Sequence, residues 1–84
     1  MMEEKIGTVF KYFKEPCVAA VKIERSEVEV GDELRFKGEN TDFTQKIESM
    51  QIEGSEVEKV GAGDDVGIKV KERVRPNDEV IKVG

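Results

Sequence analysis

Apolar and polar residues alternate at short intervals from Ile6 to Val83, and this period of two constrains the fold more than any other feature of the sequence. Val66, Ile68 and Val70 fall on one face of an extended strand, because successive side chains of a strand point to opposite sides. No segment of useful length carries the 3.6-residue apolar stripe that marks a surface helix. The pattern therefore predicts an all-β domain.

Turn residues divide this pattern into short strands. The first strand is predicted over residues 6–13 and ends before Pro16, since proline fixes φ and lacks an amide donor. The second is predicted over residues 18–23, where both faces are apolar enough to be buried. Between residues 43 and 52 the apolar parity changes, and a β-bulge within one strand would explain the change.

Six or seven short antiparallel strands leave exposed edges unless the sheet closes on itself. We therefore predict a small closed or nearly closed antiparallel β-barrel of six to seven strands, in a single domain over residues 1–84. A chain of 84 residues buries only about 60–65 % of its unfolded surface. A large enclosed active site is not expected in such a domain.

Composition excludes several classes of site. Cys17 is the one cysteine and histidine is absent, so neither an intramolecular disulfide nor a Cys/His zinc site can form. The opening residues, MMEEKIG, lack the basic and apolar regions of a signal peptide, and no apolar run approaches the length of a membrane span. A net charge of −5 repels nucleic acid and anionic membranes at long range. We expect a cytoplasmic protein with no membrane partner.

Four basic residues follow the face opposite to Val66, Ile68 and Val70. If the strand persists, they form a basic ribbon about 20 Å long that could follow phosphates. The alternative is a solvated outer face whose charges pair with carboxylates on neighbouring strands. This basic row consists of Lys69, Lys71, Arg73 and Arg75.

The five aromatic residues could include a stacking platform for single-stranded bases. Core packing is the expected role of Phe10, Phe36 and Phe43. Tyr12 and Phe13, near the turn at Pro16, are predicted to be the exposed pair. The candidate nucleic-acid-binding residues are therefore Lys69, Lys71, Arg73, Arg75, Tyr12 and Phe13.

No catalytic, cofactor or metal site is predicted. Asp64 and Asp65 adjoin glycines, and acids in such turns commonly accept hydrogen bonds from nearby backbone amides. Together with Asp42 they have no EF-hand spacing. Cys17 has no histidine that could act as its base, so a nucleophilic thiol is not expected. We expect a protein that is not an enzyme.

Three segments together resemble the β-barrel domain that follows the GTPase domain in translation factors, as in elongation factor Tu and its initiation-factor relatives. They are VKIERSEVEVGDELRFKG at residues 21–38, IESMQI at 47–52 and GAGDDVGIKV at 61–70. RPNDEVI at 75–81 is similar to the last hairpin of that family, in which a glycine commonly stands at the position of Asn77. The chain also resembles the C-terminal barrel of U32 peptidase-like proteins.

The resemblance implies a stand-alone, non-catalytic binding module with tRNA or ribosomal RNA as its partner. In the elongation factor an asparagine after the Gly-Asp turn helps to hold the aminoacyl end of tRNA, and the matching residue here is Asp65. No GxxxxGK[ST] loop is present, so nucleotide binding is not expected. The alternative function is a protein-interaction or scaffold barrel that serves as a detached subunit of a larger, U32 peptidase-like enzyme.

Overall fold

A computed structural model describes residues 3–83 and folds them into ten β-strands without a helix in that range. Every strand pair is antiparallel, so the predicted all-β antiparallel class is confirmed. The strands are β1 Glu3–Phe13, β2 Val18–Ile23, β3 Val28–Glu29, β4 Glu33–Lys37, β5 Asp42–Lys46, β6 Met50–Ile52, β7 Ser55–Val57, β8 Lys59–Val60, β9 Asp65–Lys69 and β10 Glu79–Val83. No helix in this part of the chain is long and apolar enough to cross a membrane.

Eight of these strands form one sheet in the order β5-β4-β10-β1-β2-β9-β6-β7, and β3 pairs with β8 in a separate small sheet. The long strand β1 lies between β10 and β2 and organises the larger sheet. Strands β5 and β7 remain at its two ends, so the backbone pairing does not close into the predicted barrel. The strand number also exceeds the predicted six to seven, because β3 and β8 contain only two residues each and because the single strand predicted over residues 43–52 is two strands, β5 and β6.

The core lies on the face of the sheet predicted by the alternation. Leu34 and Phe36 of β4 are fully buried. On β9, Ile68 is fully buried and Val66 is about 2 % exposed. Phe36 stacks on the ring of Phe43 with their centroids 5.1 Å apart. Apolar burial of this kind contributes about 25 cal/mol per Å² removed from water, which makes it the main stabilising term of the domain.

The parity change between residues 43 and 52 is not the predicted bulge. Strand β5 ends at Lys46 and β6 begins at Met50, and the two strands have different partners. Strand β5 pairs with β4, whereas β6 pairs with β7 and β9. The apolar pattern changes phase because the chain moves from one part of the sheet to another.

Strand β1 contains two register shifts that the sequence pattern did not indicate. One lies between Lys5 and Gly7 in the pairing with β10, and the other between Val9 and Lys11 in the pairing with β2. The second shift leaves Phe10 without a partner on β2. A single extra residue exchanges the two faces of the strand beyond it, because side chains alternate with a period of two.

Candidate interaction surfaces

The basic row does not lie on one continuous strand. Strand β9 ends at Lys69, which is opposite Val18, the first residue of β2. Beyond this point β2 offers no partner, so the predicted continuation of the strand through Arg75 is wrong. The amide of Val70 instead donates to the carbonyl of Cys17 at 2.9 Å, and the chain continues without regular structure to the turn before β10.

The four side chains of the basic row are nevertheless all exposed. Within residues 3–83 none of them forms an ion pair shorter than 4.0 Å, although six other Lys and Arg residues do. The expected alternative, pairing with carboxylates on neighbouring strands, is therefore not seen for these residues. Their role in nucleic-acid binding stays a prediction.

Two members of the basic row, Lys69 and Lys71, line an open groove of about 600 Å³ together with Lys46. Glu33 and Glu48 line the same groove, so its charge is mixed rather than purely positive. This mixed charge is more typical of an ordinary polar surface than of a channel that binds polyanions.

The side chain of Gln45 connects two segments that line this groove. Its side-chain amide donates from Nε2 to the carbonyl of Lys69 at 2.9 Å, and its Oε1 accepts from the backbone amide of Lys71 at 2.8 Å. These two bonds fix the orientation of the amide group, because only Nε2 can donate to a carbonyl. The side chain thus links β5, at one end of the sheet, to the segment that follows β9.

The two predicted stacking aromatics lie on opposite sides of the sheet. Tyr12 is half-buried and packs against the core, whereas Phe13 is 41 % exposed. Lys11 places its Nζ 5.0 Å from the centroid of the Phe13 ring, a cation–π contact. The prediction of an exposed pair is right for Phe13 and wrong for Tyr12.

The surroundings of Tyr12 raise the pKa of its hydroxyl group. Desolvation is the largest influence that raises the pKa of Tyr12, and a hydrogen bond and the charge of the Cys17 side chain raise it further. The positive charge of Arg73 acts in the opposite direction and lowers that pKa. These influences together make the Tyr12 hydroxyl harder to ionise in the folded domain than in a free tyrosine.

Phe10 is the exposed aromatic that sequence reasoning missed. It was assigned to the core, yet it is 51 % exposed, more than any other large apolar residue in the described range. The register shift after Val9 brings Phe13 to the same outer face as Phe10. Alternation from the buried Val9 was the available signal for Phe10, and Lys11 was the signal for the shift, because strict alternation would have placed its charge in the core.

An apolar groove of about 390 Å³ lies on this outer face. The aromatic rings come from β1, while small side chains from β2 and β9 form the floor. Gln51, Glu53 and Asp65 make a polar rim. We use the name apolar groove for the surface formed by Phe10, Phe13, Pro16, Val18, Ala20 and Gly67.

The acidic residues considered in the sequence serve turns and ion pairs. Asp64 accepts a hydrogen bond from the amide of Gly61 at 2.9 Å, which is the predicted turn chemistry. Asp42 accepts from Nε and Nη2 of Arg35, both at 2.9 Å, and this guanidinium lowers the pKa of the carboxyl. Residues 3–83 contain no group of three or more potential metal ligands.

Comparison of the fold with solved structures gives a close match. The C-terminal domain of a protein from Geobacillus thermoleovorans described as a U32 peptidase superposes with a TM-score of 0.88 and 31 % sequence identity. The match covers 96 % of this chain and 93 % of that domain. The chain belongs to the family of U32 peptidase C-terminal domains. No family model matches the sequence.

Longer relatives place this U32 C-terminal domain within larger proteins. A collagenase from Porphyromonas gingivalis is 38 % identical over 78 residues, which are 92 % of this chain and 22 % of the collagenase. An uncharacterized protease from Methanocaldococcus jannaschii is 31 % identical over 77 residues, which are 90 % of this chain and 19 % of that protein. The chain thus spans about a fifth of the length of the curated relatives it matches.

These comparisons correct the emphasis of the sequence analysis. The resemblance to U32 peptidase-like proteins is shown over almost the whole domain. The matched proteins support the alternative function, a module associated with a larger enzyme, better than a stand-alone translation accessory.

Proposed function

We propose that this U32 C-terminal domain is a non-catalytic interaction module that acts with a U32 peptidase-like enzyme, either as part of its polypeptide or as a separate subunit. The observation that carries the proposal is the contrast in length. The domain matches a solved C-terminal domain over 93 % of that structure but only about a fifth of the curated proteases. The remaining four fifths of those proteases have no counterpart in this sequence.

The side chains of the domain support a non-catalytic role. The chain has no histidine to activate its single cysteine. The thiol of Cys17 donates to the carbonyl of Lys14 at 3.2 Å, which is a turn contact rather than a nucleophile–base pair. Peptide hydrolysis would thus depend on groups from the larger enzyme. We propose that the domain and this enzyme act together in the cytoplasm.

The test is to compare the U32 peptidase-like enzyme of the same organism with and without this domain, using its substrate affinity and its turnover as separate readouts. We expect loss of the domain to change KM or assembly by a larger factor than kcat, because the domain positions rather than reacts. Restored function on adding the separate domain would support an interaction role. A fall in kcat alone, reproduced by a Cys17→Ser variant of the intact protein, would contradict it.

Nucleic-acid binding is a second candidate function, and the exposed, unpaired state of the basic row in residues 3–83 favours it. A polyanion would release counterions from such a surface, so its affinity should fall steeply with salt. Fluorescence anisotropy with bulk tRNA and with a single-stranded RNA, at about 50 mM and about 200 mM salt, measures this dependence.

Lys71→Glu should abolish binding if the basic row is the RNA site. Lys37→Glu is the matched control, because Lys37 is also exposed and also outside the ion pairs of the described residues. Both variants change the net charge equally. Equal losses would mean that only the overall charge matters, and absence of binding by the unmodified domain would remove this candidate.

A further inference from the structure

The apolar groove follows from the register shift in β1. Val9 and Tyr12 both face the core, opposite Val21 and Ala19 of β2. Two residues, rather than one or three, separate them, so both intervening side chains point outward. Phe13 follows Tyr12 and also points outward. The strand therefore presents two phenylalanine rings to solvent on one face.

The floor of the groove is formed by the smallest residues on the neighbouring strands. Ala20 of β2 is opposite Gly67 of β9, and Gly67 is opposite Gln51 of β6. A Cβ atom at Gly67 would be only 3.1 Å from Cγ1 of Val18, so the glycine keeps the floor low. Large rings beside a low floor form a concave apolar surface.

Exposure of these rings has no role in the stability of the isolated domain. Phe10 and Phe13 leave about half of their surface in water, so the isolated domain gains only part of the stabilisation that full burial of the two rings would give. An apolar centre with a rim of Gln51, Glu53 and Asp65 has the composition of a protein interface. Asp65 already pairs with Lys22 at 3.9 Å, whereas Glu53 forms no ion pair within residues 3–83 and favours a partner segment with a basic residue beside its apolar anchor.

We propose that the apolar groove docks the peptidase-like portion of the U32 enzyme through an apolar side chain flanked by Lys or Arg. This inference rests on the proposed function. In the curated relatives about four fifths of the protein lies outside the region matched by this domain, so a large polypeptide surface is available to cover the groove. Contacts between domains usually bury about 600–1,500 Å², so the groove would be the centre of a larger contact.

Photo-crosslinking in the cells that make the protein tests the docking, whether the two parts are in one polypeptide or in two. Phe10→p-benzoylphenylalanine keeps an aromatic group in the groove and reacts with whatever covers it. Glu39→p-benzoylphenylalanine, in the exposed loop between β4 and β5, is the matched control. Mass spectrometry identifies the crosslinked peptides.

We expect peptides of the peptidase-like portion to crosslink at Phe10 with roughly tenfold higher yield than at Glu39. Crosslinks to that portion at Glu39 but not at Phe10 would overturn the groove and leave the proposed function standing. Crosslinks at Phe10 to a second copy of this domain, or to an unrelated protein, would also overturn it. No crosslink to a peptidase-like portion at either position would refute both the inference and the proposed function.

A second measurement separates docking from folding. With the crosslinker at Phe13, an added Phe10→Ser change should lower the yield roughly fivefold, because interface aromatics commonly dominate binding. Val30→Ser is the control, since Val30 is also about 40 % exposed but lies outside the groove. An equal loss of yield in the two variants, with both still folded by circular dichroism, would reject the groove as the docking site.

Discussion

Replacing Gln45 by methionine removes its two short hydrogen bonds, together with a longer one of 3.4 Å to the carbonyl of Lys46, and keeps a side chain of similar length. In the native domain the amide group donates to the carbonyl of Lys69 at 2.9 Å and accepts from the amide of Lys71 at 2.8 Å. A net contribution of about 0.5–1.5 kcal/mol for each bond predicts a loss of about 1–3 kcal/mol in the free energy of unfolding. Gln45 is half-buried, so water replaces its bonds only in part.

The assay is thermal and urea unfolding followed by circular dichroism. For a domain of 60–100 residues, each kcal/mol corresponds to a shift of about 4–8 °C in Tm, so Gln45→Met should lower Tm by about 5–20 °C. Gln51→Met is the matched control, because Gln51 is exposed on β6. Its effect should stay within about 0.5 kcal/mol.

Hydrogen exchange locates the effect. The amide of Lys71 lies beyond the end of β9 and is bonded to the Gln45 side chain, so it should exchange faster in Gln45→Met while amides of β1 change little. A variant with unchanged Tm and unchanged Lys71 exchange would refute the view that this side chain links β5 to the end of β9.

Other substitutions test separate features. Asp42→Asn removes a two-point ion pair with the neighbouring guanidinium and should lower Tm at pH 7. The pKa of Asp42 is lowered in the folded state, so its contribution to stability is fully present above the ordinary pKa of 3.8 and is lost as the pH falls through the lowered pKa of the folded state; a difference in Tm that is as large at pH 2 as at pH 7 would contradict this. Cys17→Ala should lower the pKa of Tyr12 in an ultraviolet titration, because the Cys17 thiol is the second cause of the raised pKa, desolvation being the first. An unchanged titration would show that the thiol does not interact with the Tyr12 hydroxyl. Gly7→Ala would force a Cβ atom onto a backbone carbonyl and should destabilise the domain by about 1–3 kcal/mol, whereas Gly61→Ala, with its nearest neighbour 4.0 Å away, should not. Equal stabilities of the two alanine variants would contradict the close approach at Gly7.

Local patterns predicted the strands whose ends carry turn residues or whose two faces differ in polarity. Strand β2 spans Val18–Ile23, as predicted, because a proline turn precedes it and charged residues follow it. The inward placement of Leu34 and Phe36 was also predicted, since polar neighbours on both sides leave one consistent face. In these segments the sequence within a few residues determines which side chains are buried.

Pairing partners depend on distant parts of the chain, and local patterns did not predict them. The end of β9 at Lys69 is determined by the beginning of β2 at Val18, about fifty residues earlier in the sequence. The same kind of information decides whether a parity change is a bulge or a change of strand, as between residues 43 and 52. The side chains of the basic row are exposed, as predicted, but the strand predicted to carry them was too long.

The segment from Val9 to Phe13, VFKYF, shows how one charged residue can determine a surface. Strict alternation from the buried Val9 would place Lys11 and Phe13 in the core and expose Phe10 and Tyr12. Burying an unpaired ammonium group would cost several kcal/mol, more than one unpaired backbone position in a bulge. The register shift keeps Lys11 in solvent and returns Tyr12 to the core, and it necessarily turns Phe13 outward onto the same face as Phe10. The apolar groove thus forms because Lys11 cannot be buried in the core. A lysine at an inward position of a predicted strand is the sequence signal that would have predicted the groove.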